Sequence, residues 1–63
     1  MVMQPGDRVR VLYPEYATGE TGTVLEPETL QDGSKTGYWL VKIDDEEMIL
    51  ALLPKEMQVL KSA

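Results

Sequence analysis

With 63 residues the chain has room for one domain, which buries only about 60% of the surface its unfolded form exposes. Its 43% hydrophobic and 27% charged residues lie away from the composition of disordered chains, so a single folded domain over residues 1–63 is expected. The absence of cysteine and histidine excludes disulfides, thiolate chemistry, ordinary zinc sites and the usual neutral-pH general base, and a net charge of −5 is opposite to that of most nucleic-acid-binding domains.

The opening "MVMQPGDRVRV" holds neither the basic and apolar segments nor the cleavage site of a secretory leader, and no apolar run nears the length of a membrane span. A soluble, cytoplasmic-type protein is expected. Pro5, Gly6 and Asp7 form a turn signal ahead of residues 8–12, which alternate strictly and predict a first strand with Val9 and Val11 inward. The next segment, "YPEYATGE", has a proline, a glycine and no apolar period, and reads as a loop of about eight residues. Residues 21–26 return to an extended pattern; Gly22, with no side chain to pack, marks a bend or a close backbone approach.

Pro27 is expected to end that strand, and "ETLQDGSKTG" to form a long mobile loop. Residues 38–43 give the strongest strand pattern, with Trp39, Val41 and Ile43 on the core face and Tyr38, Leu40 and Lys42 on the other. An acidic turn at residues 44–47 leads to a fourth strand at 48–52. Because that run is apolar on both faces, either Met48, Leu50 and Leu52 or Ile49, Ala51 and Leu53 join Tyr38 and Leu40 outside. Pro54 fits the first position of a short 3-10 turn, and residues 57–61 complete the chain as a fifth strand. Five short strands with turn chemistry between them predict an all-β fold, a small barrel.

The order of these elements resembles an SH3-like barrel over essentially the whole chain. Within the first half, "PGDRVRVLYPEYATGETGTV" is similar to the opening of a photosystem I reaction-centre family, the small SH3-like subunit that meets ferredoxin. The matching features are Gly6, the basic and valine-rich strand, Pro14 with Glu15, Tyr16, and the Glu-x-Gly-Thr-Val step from Glu20 to Val24. Small SH3-like accessory subunits of cyanobacterial and plastid complexes belong to the same group, and the "G-x-x-V-x-V … G-x-V" skeleton is shared with KOW modules of ribosomal and transcription proteins. After residue 27 the likeness to the photosystem family fades, and the net acidic charge departs from the basic surface with which its members meet ferredoxin. The resemblance implies an accessory-subunit role, at a location that is cytoplasmic or peripheral to a membrane complex.

The candidate protein-binding residues are Tyr13, Glu15, Tyr16 and Glu20 in the long loop, with Tyr38 and Leu40 on the outer face of the third strand. The loop tyrosines serve either as a groove bordered by Trp39 or Tyr38, or as a cover for the open end of the barrel. An alternative nucleic-acid surface would use Arg8, Arg10, Lys35 and Lys42. The four adjacent carboxylates at 44–47 lack the spaced ligands and central glycine of a calcium loop, so no metal or cofactor is expected. No nucleophile is paired with a base and no phosphate-binding loop precedes a helix, so no enzymatic activity is expected.

Overall fold

The computed structural model describes residues 2–63. Five strands, β1 (Arg8–Val11), β2 (Thr21–Thr29), β3 (Lys35–Ile43), β4 (Ile49–Leu52) and β5 (Met57–Lys61), form one antiparallel sheet in the order β4-β3-β2-β1-β5. Two 3-10 turns, Glu15–Ala17 and Pro54–Glu56, interrupt the connections; the sequence pointed only to the second. Among the described residues β4 and β5 are not paired with each other, so they are the two edges of the sheet.

The period-2 pattern does what was expected of it in β1 and β3. Val9, Val11, Val41 and Ile43 are fully buried, and with Ala17, Val24, Leu52 and Met57 they make the core. Trp39, Leu50, Val59, Met3 and Met48 are partly buried against it. The orientation left open for β4 is now fixed. Leu52 packs in the core and Leu50 against it, while Ile49 and Ala51 face outward with Leu40, which pairs with Ala51. At β1 the strand stops at Val11, and Leu12 is exposed.

Two expectations are corrected. Pro27 does not end the second strand, because β2 runs on to Thr29 with Pro27 opposite Trp39. In the pairing register β1 reaches only as far as Thr23, so at Pro27 the strand has β3 alone beside it. Register shifts on both sides absorb the missing donor there, as proline requires in a sheet. Half of the supposed mobile loop, residues 28–29 and 35–37, is strand as well, and only residues 30–34 connect β2 to β3. Leu30 N–H donates to Ser34 O at 2.8 Å, Gly33 takes a positive φ of 89°, and Asp32 Oδ1 accepts both the N–H and the hydroxyl of Ser34. An Asp-Gly pair between extended residues is a hairpin signal, and here it outweighs the polarity of the segment.

Gly22 is the close approach its position implied. A Cβ built there would stand 2.5 Å from Lys42 O and 2.9 Å from Val41 Cγ1, so β2 and β3 meet with no room for a side chain. Gly22→Ala must therefore push backbone away from backbone. The substitution is expected to destabilise the fold by about 2 kcal/mol or more, lowering the midpoint of thermal unfolding by roughly 10 °C in a domain of this size. A calorimetric midpoint within about 3 °C of the wild type, on the same scale, would contradict this account of the β2/β3 contact.

Candidate functional site

The loop between β1 and β2 is built as a rigid frame. At its base Val11 N–H donates to Glu20 O (2.8 Å) and Gly19 N–H to Val11 O (2.9 Å). Inside it, Ala17 N–H donates to Pro14 O, Glu20 N–H to Ala17 O, and the Thr18 hydroxyl lies within hydrogen-bonding distance of the carbonyls of Leu12 and Pro14. The far side is tied to the second 3-10 turn, where Glu56 O accepts the N–H groups of Leu12 (2.8 Å) and Tyr13 (3.2 Å). The Tyr13–Pro14 peptide bond is cis.

What this frame displays is decided by Ala17. Its methyl group is the part of the loop that enters the core, at 2% exposure, whereas Tyr13 and Tyr16 are 61% and 77% exposed. The tyrosine rings therefore lie largely in water, outside the core. Glu15 is exposed beside them and Glu20 is half-buried at the loop base. The four loop residues share one short, well-bonded segment.

Tyr38 and Leu40 stand elsewhere, on the outer face of β3, where Leu40 lies between Glu26 of β2 and Ala51 of β4. Trp39 points the opposite way. It lines a concave pocket of about 470 Å³ together with Met3, Asp7, Pro54, Met57 and Val59. The 3-10 turn Pro54–Glu56 thus touches both features, since Pro54 forms pocket wall and Glu56 anchors the tyrosine loop.

Asp7, on the pocket wall, has no counterpart among the residues that the sequence marks as candidates. It is 3% exposed, and its two carboxylate oxygens are both engaged: Oδ2 accepts Gln4 N–H at 3.0 Å and Oδ1 accepts Ala63 N–H at 2.8 Å. Its backbone carbonyl accepts Val24 N–H as well. A buried carboxylate is tolerated when hydrogen-bonded in this way, and this one serves as a fastener. The signal for it in the sequence is a lone acid between a turn and a clean strand.

The four basic candidates are not gathered into one patch. Arg8 is held by Asp44 through two hydrogen bonds, Nη1 to Oδ1 at 2.8 Å and Nη2 to Oδ2 at 2.5 Å, and its Nη1 also donates to the Thr23 hydroxyl. Thr21 adds a third bond to Asp44, at 2.7 Å. Lys42 lies one strand over, opposite Thr23, and Arg10 is exposed further along β1. Lys35, opposite Thr29, is roughly 20 Å away along β3. No family model, no curated protein and no solved structure matches this chain.

Hydrogen bonds from Arg8, then from Thr21, hold the Asp44 carboxyl well below the usual carboxylate range, and the same contact raises the Arg8 guanidinium. A carboxyl with a depressed folded-state pKa contributes stability above its unfolded value and loses it as pH falls towards the folded one. Asp44→Asn is therefore expected to melt below the wild type at pH 7, with the difference shrinking as pH is lowered from about 4 towards 2. A thermal-melt series in which the difference stays constant over that range would remove the ion pair from the explanation.

Proposed function

We propose that this chain is a non-catalytic protein-interaction module of SH3-like architecture, working as a small accessory or regulatory subunit of a larger complex. The observation that carries the reading is the pair of exposed tyrosines, Tyr13 and Tyr16, on a loop whose backbone is bonded at its base, within itself and to the neighbouring turn. Holding aromatic rings in water forgoes the burial a small domain needs, and a pre-ordered loop loses little entropy when a partner covers them. Tyrosine is also among the side chains that dominate protein interfaces.

Glu15 and Glu20, with the net charge of −5, favour a partner surface of basic character and speed encounter with it. The outward strip of Tyr38, Leu40, Ile49 and Ala51 supplies a second apolar contact. The strand order and the 3-10 turn ahead of β5 support the SH3-like description. The resemblance to the ferredoxin-contacting family of photosystem I extends the proposal to a photosynthetic complex, with the domain cytoplasmic and peripheral to the membrane. Nucleic-acid binding is the weaker reading, because Arg8 is committed to Asp44 and Lys35 lies far from the other cations.

The test is affinity capture from nuclease-treated extract of the native cells, followed by rebinding of the identified partner to purified protein. Tyr16→Ala should keep the wild-type circular dichroism and melting point yet weaken rebinding by about thirtyfold, the effect of losing an interface anchor worth about 2 kcal/mol. Leu40→Glu should weaken it by a smaller factor. Capture abolished by nuclease, or rebinding unaffected by both substitutions, would overturn the proposal.

A further inference from the structure

The pocket beside Trp39 joins an aromatic ring to a buried charge. Apart from Trp39 its wall is methionine, valine and proline, and the polar side chains on it are Asp7 and Ser62. Asp7 is thus its only charged group among the described residues. The two backbone N–H groups that hold the carboxylate, from Gln4 at 3.0 Å and Ala63 at 2.8 Å, are neutral and leave its negative charge in place. No cation answers it: Asp7 has no ion pair among the described residues, and none of the chain's basic residues stands on the pocket wall. Lys55 and Lys61, next in sequence to Pro54 and Ser62, are exposed to solvent.

Whatever fills such a pocket replaces the solvent that stands near the carboxylate. An apolar occupant would seal Asp7 under hydrocarbon with no counter-charge, and an anion would be repelled. A cation carried on an apolar stem meets both demands, because the stem covers the walls while the charge enters a field that those walls concentrate. Arginine suits the site better than lysine. A guanidinium gives up its water more readily than an ammonium and stacks on an aromatic face such as that of Trp39. We propose that this pocket receives an arginine side chain of the protein partner, with its guanidinium between Trp39 and Asp7 and its methylenes against Pro54 and Met57. The volume of about 470 Å³ leaves room for the peptide backbone that delivers it. The proposal deepens the reading of a basic partner and rests on it for the source of the arginine, but it uses other side chains than the tyrosine loop.

Trp39 is the only tryptophan in the chain, so its fluorescence and its indole N–H resonance report on the pocket directly. The probe is a blocked glycine peptide with one central arginine, titrated into the purified full chain beside the same peptide carrying citrulline, lysine or norleucine. Citrulline keeps the shape and removes the charge. A single side chain binds weakly, with a dissociation constant of about 1 mM, and arginine should bind about tenfold tighter than citrulline or norleucine. Ser62→Lys, an exposed substitution outside the strands, sets a cation on the pocket wall. It should weaken arginine binding about fivefold and leave the melting point unchanged. Asp7→Asn should erase the preference for arginine over citrulline; if that variant unfolds, Ser62→Lys carries the test of charge. Tyr16→Ala should leave the titration unchanged, and in the rebinding assay Ser62→Lys should weaken the partner as well. Because the titration needs no partner, failure of affinity capture removes the basic partner without altering what the titration says of the pocket. Five results would overturn the proposal: no response of Trp39 at about ten times the expected dissociation constant, equal binding of arginine and citrulline, tighter binding of lysine or norleucine, arginine binding indifferent to Ser62→Lys, or a rebound partner indifferent to it.

Discussion

Among the described residues eight buried apolar side chains hold this domain together, six of them Val, Leu or Ile and none aromatic. A core so small leaves no slack in the backbone. Strands β2 and β3 approach at Gly22 more closely than any side chain would allow, and that contact lets Val24, Val41 and Ile43 share one interior. The remaining large rings are pushed to the margin, where Trp39 closes one flank and all three tyrosines stay in contact with water. The surface of this protein is thus partly a consequence of what its interior cannot hold.

Polar fastening compensates for the shortage of apolar area. Asp7 gathers three separated stretches of chain through hydrogen bonds, and Asp44 draws β1 and β2 together at the end of β3. The two carboxylates work differently. Asp7 is enclosed and bonded only to backbone N–H groups, so its contribution depends on geometry. Asp44 lies on the surface and owes its hold to a guanidinium, so solvent and salt moderate it.

The strands were legible wherever one face meets the core and the other meets water. Val9, Val11, Val41 and Ile43 obey the alternation, and β5 occupies the residues expected of it. The sequence failed where the deciding fact is a neighbour in space. Pro27 breaks a strand only if both sides need donors, and nothing local says that β1 stops short of it. The apolar run of β4 could not be oriented because its pattern is the same on both faces, and its pairing with β3 decides the matter. In the tyrosine loop the residue types were visible, but their exposure depends on Ala17, an unremarkable residue, being the one that enters the core. The role of Asp7 was hidden because Ala63, one of its partners, lies 56 positions away and contributes only its backbone.

The same carboxylate has a topological effect. Because Asp7 binds Gln4 with one oxygen and Ala63 with the other, and Ala63 lies against Gly6, the entry and exit of the described chain stand side by side. A polypeptide that enters and leaves at one spot can be carried within a surface loop of another protein without stretching its host. The natural place to reopen such a ring is the Asp32-Gly33 turn, an exposed connection at the far end of the β2–β3 hairpin.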